Sequence, residues 1–260
     1  EQINIYNKKS KLKGWYFTWS SRMLIIKNKD NYDLFIHSDD DILISPKSLM
    51  TFMDESSQLP ENYIPGFLFC EEWEGEKHII NMHSAFGPGI EKYQEINEEK
   101  YFTPHNCHAA CFVSTRKQLN RAIDSGNFYS KPRKKKFYPM PDFACSNIYV
   151  DCNLQNVIPC QRVEKFLAIH LPNKYMEKQA NVKNGELEKN NLDYNFYGEY
   201  YSLTNLKMFL ATNKLGFELL ENDLVIKMEL RFLYQVKDYF RDFSRIGPYR
   251  FLKKFIKTLS

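Results

Sequence analysis

The chain has 260 residues, 43% of them hydrophobic and 26% charged, as in an ordinary globular protein able to bury one large core or two modest ones. No apolar run reaches the roughly eighteen residues of a membrane span, and the six cysteines show no disulfide-framework spacing, which reads as reduced and intracellular. The net charge is +4, but residues 231–260 alone carry +6, so the basicity belongs to the tail.

In chain order, Ile3–Tyr6 reads as a short strand and 8–13 as a basic connection. From Phe17 to Lys29, the residues Trp19, Met23, Leu24 and Ile26 recur at near-helical spacing, with Asn28 and Asp30 as the stop. Leu34–Ile36 has the length and composition of a buried strand and runs straight into Asp39, Asp40 and Asp41. Ser45 as N-cap and Pro46 at the first helical position open a helix to about Ser56. Residues 60–65 predict a loop, Gly66–Cys70 a strand leading to Glu71 and Trp73, and Lys77–Met82 its hairpin return. Residues 84–100, with Gly87-Pro88-Gly89 and many Glu, predict a mobile surface loop.

Ala109–Val113 is strand-like, and Thr115-x-x-Gln118 is a capping box for a helix that stops at Gly126. A basic loop follows at Lys131–Lys136, then a helix over Asp142–Asn153 and strands at Val157–Pro159 and Phe166–His170. Strands alternating with helices through residue 177 predict an α/β domain with a mixed sheet flanked by helices. Residues 178–197 read as a linker, and 198–260 as a helical, basic appendage.

Five constellations could carry chemistry. In an extended chain Asp39 and Asp41 point to one side and Asp40 to the other. Two such carboxylates repel by roughly 1 kcal/mol in water and about 4 kcal/mol at a protein surface, which Mn²⁺ or Mg²⁺ would offset. A solvated acidic turn is the plain alternative. His105-x-Cys107-His108-x-x-Cys111 contains zinc-ligand types, but ligands packed this closely converge poorly while a strand runs on, so an active-site loop is the better reading. The Lys131–Lys136 run is a solvated loop or a phosphate contact, and no nucleic-acid-binding motif accompanies it. Asp142, at a helix start, is an N-cap or a general base. His170, at the end of an apolar strand, is a structural histidine or a metal ligand.

Several segments occur in the order expected of a known architecture. They are Thr18-Trp19-Ser20-Ser21-Arg22, Tyr32 to Ile42 with the three acids, Ile64 to Glu71, His108 to Leu119, Asp142-Phe143-Ala144, and Ile169 to Tyr175. Together they resemble a nucleotide-sugar-dependent glycosyltransferase of the GT-A type, whose metal strand carries an Asp-x-Asp motif. The likeness covers about residues 14–176.

That resemblance implies a GT-A-like mixed sheet and metal-assisted transfer of a sugar from a UDP- or GDP-sugar to a hydroxyl of a glycan or lipid-linked acceptor, as in polysaccharide biosynthesis. It implies Asp39, Asp41 and His170 as ligands of Mn²⁺ or Mg²⁺, with Arg22, Asp40 and Lys174 on the donor side. Asp142 would be the catalytic base, and Glu71, Trp73 and His108 would line the acceptor site. Only 38 residues precede Asp39, so the nucleotide-binding portion is expected to be incomplete and the chain to be a piece of something longer. The last predicted helix, 248–260, is basic and amphipathic, which suits attachment to an anionic membrane surface on the cytoplasmic side. Two other classes stay open at this point. One is an Asp-x-Asp phosphatase with Asp39 as nucleophile and Asp41 as acid. The other is a non-catalytic GT-A-like protein that binds glycans or a partner.

Overall fold

Strand β1 (Leu34–Ser38) alternates, with Phe35 and His37 buried and Ile36 and Ser38 exposed. The sequence predicts a strand buried on both faces. Instead it forms a two-stranded antiparallel ladder with β8 (Cys111–Thr115), in which His37 stands opposite Phe112 and Phe35 opposite Ser114. The structure is a computed structural model, and it describes residues 19, 21–80, 89–130, 140–183 and 201–211. The chain divides into two units, Glu1–Ala211 and Thr212–Ser260, and the second lies outside the described residues. The predicted strand at Ile3–Tyr6, the Lys131–Lys136 loop and the helix at 248–260 also lie outside them.

The first unit is mixed α/β, with both parallel and antiparallel strand pairs and several helices. After the acids, β2 (Ile42–Leu43) pairs antiparallel with β10 (Leu167–His170). Strand β10 runs parallel to β4 (Leu68–Trp73), and β4 turns through Glu74 and Gly75 into β5 (Glu76–Ile79). Both turn residues have positive φ, 53° and 79°, the left-handed geometry that a two-residue hairpin connection requires. Strand β11 (Tyr201–Ser202) completes this five-stranded sheet in the order β11-β5-β4-β10-β2. A third sheet has the order β3-β9-β7-β6, from β3 (Tyr63–Pro65), β9 (Gln155–Pro159), β7 (Glu99–Pro104) and β6 (Ile90–Ile96).

The helices follow their local signals. Ser45 accepts the Ser48 N–H at 3.0 Å and caps α2 (Pro46–Gln58), and Thr115 and Gln118 close both halves of the capping box of α3 (Arg116–Asp124). Helix α4 spans Met140–Val150 and α5 spans Lys174–Lys183. In α1 (Ser21–Lys27) the inward residue is the cation Arg22, while Met23 is 63% exposed. The core between the layers is rich in phenylalanine, with Phe52, Phe67 and Phe166 fully buried at ring-to-ring spacings of 6.0 Å. Burying each such ring contributes about 1.5–3 kcal/mol.

Three sequence expectations are corrected here. Residues 90–104 are a hairpin rather than a loop, turned by Asn97 and Glu98 at φ 52° and 65° and pinned by Asn97 Nδ2 donating to Gln58 O at 2.8 Å. Residues 63–65 form a strand because β9 pairs with them. Residues 201–211 belong with the first unit rather than with a tail: β11 joins β5, and α6 (Leu203–Ala211) buries Leu206 and Leu210 in the core. No helix among the described residues is long and apolar enough to cross a membrane.

Candidate functional site

The pairing of β2 with β10 sets Ile42 opposite His170, which brings the residue before Ile42 to the imidazole. His170 Nε2 lies 3.2 Å from Asp41 Oδ2, and the Leu171 N–H donates to the Asp41 carbonyl at 3.0 Å. His170 is 2% exposed, and its other nitrogen, Nδ1, lies 2.5 Å from Glu71 Oε1 on β4. Glu71 is itself fully buried. It accepts the Tyr175 N–H at 3.0 Å and the Met176 N–H at 2.7 Å from the first turn of α5, where the helix dipole favours an anion.

This makes a relay of three side chains from three segments. With Nδ1–H donated to Glu71, the Nε2 lone pair faces a second carboxylate. Two acceptors do not attract one another, so Nε2 either donates a second proton to Asp41 or shares a cation with it.

A second group stands beside Asp39, whose backbone N–H donates to Ala110 O at 3.0 Å. Burial raises the Asp39 carboxyl above the usual carboxylate range, opposed by the field of His108 and reinforced by Asp41, Asp40 and Asp142. His108 Nε2 lies 4.0 Å from Asp142 Oδ1 on α4, and the Asp142 side chain is 37% exposed. Between the two groups sits Phe69 of β4, its ring centroid 5.1 Å from His170 and 6.3 Å from His108. The ligand atoms of His37, Asp39 and Cys145 also lie within 4.8 Å of one another. Burial, with Arg22 nearby, lowers the His37 imidazole to about 4.

Of the residues expected from sequence, the structure brings Asp41 to His170, and His108 to Asp142. The Asp39 carboxylate is placed with His37 and Cys145. Two roles are corrected. Arg22 is 1% exposed: it donates to Phe128 O at 2.9 Å, to Asn147 Oδ1 at 2.5 Å and to Ala144 O, with its guanidinium 4.2 Å from the Phe128 ring centre and 4.6 Å from that of Trp19. It is walled into the core and does not reach a diphosphate. Glu71, expected to line the acceptor site, is sealed behind His170 and cannot touch an acceptor.

Trp73 ends β4 and packs partly against the core, Asp40 is exposed, and Lys174 is exposed with Nζ 5.3 Å from the Tyr175 ring centre. The residues of the His105–Cys111 run do not join into one site, since Cys111 is fully buried in β8 and His105 is exposed. A concavity of about 310 Å³ is lined by Thr103, His105, Cys107, Tyr149 and Asn156 and not by the acid loop. Sequence reasoning missed His37, Cys145 and Phe69. The alternation of Phe35 and His37 was the signal for the first, while Cys145 looks like any small residue of a packed helix. No family model, no curated protein and no solved structure matches this chain.

Proposed function

We propose that the chain is a metal-dependent glycosyltransferase of the GT-A type, moving a sugar from a UDP- or GDP-sugar to a hydroxyl of a glycan or lipid-linked acceptor. The observation that supports it most is the meeting of Asp41 and His170 at 3.2 Å with Glu71 behind the imidazole. The second acid of the Asp-x-Asp motif and a histidine 129 residues later converge, and each is held by backbone or buried partners.

The donor set fits a divalent ion. Asp41 and His170 would hold Mn²⁺ or Mg²⁺, with water completing the oxygen ligands, and the imidazole nitrogen suits a transition ion better than Mg²⁺. Such an ion supplies Lewis-acid neutralisation of the leaving diphosphate. The chain's own residues do the rest. Glu71 orients His170, Lys174 adds positive charge at the start of α5, and Tyr175 and Phe69 form an apolar wall. Asp142 takes the proton of the acceptor hydroxyl, while His108 beside it faces the acceptor, and Trp73 offers a ring face to a sugar. The basic segment 248–260 attaches the protein at the inner face of a membrane, near a lipid-linked acceptor.

The test is a thermal-shift screen of UDP- and GDP-sugars with and without Mn²⁺, on wild type and Asp41→Ala. Metal-dependent stabilisation that the variant lacks is expected. Its absence with every sugar nucleotide overturns the reading.

A further inference from the structure

His37 on β1, Asp39 just beyond it and Cys145 on α4 face one another with a nitrogen, an oxygen and a sulfur within 4.8 Å. His37 is 8% exposed; its Nδ1 is engaged by Ser21 Oγ at 2.9 Å, and its Nε2 has no hydrogen-bond partner. A buried ring nitrogen with no partner has lost its water and gained nothing in exchange. Cys145 is 1% exposed, and Asp39 is the member of the three that reaches solvent and so provides an entry path.

We infer that His37, Asp39 and Cys145 form a site for a thiophilic divalent cation of the zinc class, separate from the Asp41–His170 pair. It does not rest on the glycosyltransferase reading. The donor set decides the class of ion: Mg²⁺ and Ca²⁺ take oxygen ligands, whereas thiolate, imidazole and carboxylate together are a zinc-type set with a fourth position left for water. Binding forms bonds to sulfur, nitrogen and oxygen and releases the Cys145 thiol proton to solvent. The thiolate and the Asp39 carboxylate then balance the charge of the ion. Donors on a tetrahedral zinc lie roughly 3.5 Å apart, so the three side chains close by about an ångström on binding. Ser21 provides the outer hydrogen bond that fixes the tautomer of a ligating histidine, leaving Nε2 as the donor atom.

The test uses Co²⁺, whose thiolate complexes absorb in the near ultraviolet, added to the purified full chain after chelator treatment. Wild type, His170→Ala and Asp41→Ala should all show the thiolate-to-cobalt band, and Zn²⁺ should bleach it. Cys145→Ser should lack the band, and His37→Gln should weaken Co²⁺ binding about tenfold or more. A wild type with no band at saturating Co²⁺, or a band that survives Cys145→Ser, overturns the site. X-ray absorption at the zinc edge needs no variant. A first shell with one sulfur at about 2.3 Å is expected, and a shell of nitrogen and oxygen alone refutes the proposal even if both variants fail to fold.

Discussion

Glu71 holds His170 from behind: one carboxylate oxygen lies 2.5 Å from Nδ1, and the other takes the two backbone N–H groups that open α5. A carboxylate in that position fixes the tautomer of the imidazole and locks its orientation. Glu71→Gln should therefore reduce Mn²⁺ affinity about 10–100-fold by isothermal titration, with the fold intact, because the amide oxygen still accepts from α5. Unchanged affinity would mean that Glu71 is only a helix cap.

Arg22 gives the opposite signature. Truncating it leaves Phe128 O and Asn147 Oδ1 without their donor and opens a cavity beside the Trp19 and Phe128 rings, so Arg22→Ala should lower stability by about 2–5 kcal/mol in urea denaturation. Arg22→Lys should recover little of this, since a lysine has no planar fork to reach three acceptors at once. A diphosphate ligand would behave differently, losing nucleotide affinity while keeping its stability.

Asp142→Asn should leave metal-dependent nucleotide-sugar binding unchanged and lower turnover about 10²–10⁴-fold, the usual contribution of a general base. Equal losses in binding and turnover would place Asp142 among the ligands of the donor instead.

Glu55 controls a pH dependence remote from the acids. Burial raises its carboxyl above the usual range, with the Tyr101 hydroxyl hydrogen bond and the Arg162 charge opposing. The folded state thus binds this proton more tightly than the unfolded state. The contribution of Glu55 to stability is therefore greatest below the unfolded value near 4.5 and falls as pH rises through the higher folded value. Relative to Glu55→Gln, wild type should gain stability as pH drops from 7 towards 4.5, read from denaturation midpoints across that range. A difference that stays flat with pH would show that the Tyr101–Arg162–Glu99 surroundings leave Glu55 unperturbed.

The β6–β7 turn is built from two residues in left-handed geometry, and Glu98 has a side chain that disfavours it. Glu98→Gly creates the preferred Asn-Gly pair and should raise stability by about 1 kcal/mol, measured by thermal melting.

The sequence exposed what depends on local rules. Ser45-Pro46 and Thr115-x-x-Gln118 carry their own hydrogen bonds, so α2 and α3 stand where the caps predict. The β6–β7 hairpin did not show itself, because Glu91, Lys92 and Glu95 face solvent and only Ile90 and Ile96 are buried, so the strand lacks a regular apolar alternation. Arg22 and Glu71 were misjudged for one reason. A charged side chain is an exposed one by default, and only tertiary partners far along the chain reveal a cation or carboxylate sealed in the core. His170 was singled out because a strand end in an α/β sheet is a place where ligands gather, and the structure sets it beside Asp41.

Phe69 has contacts on both sides. His170 and His108 lean on the same buried ring, one beside Asp41 and the other beside Asp142. A core this tightly packed does not absorb displacement, so an imidazole that turns to meet a ligand at Asp41 must press on its neighbour. On the proposed reading, the pocket for the leaving group and the pocket for the incoming hydroxyl would share one wall, and filling the first would set the shape of the second.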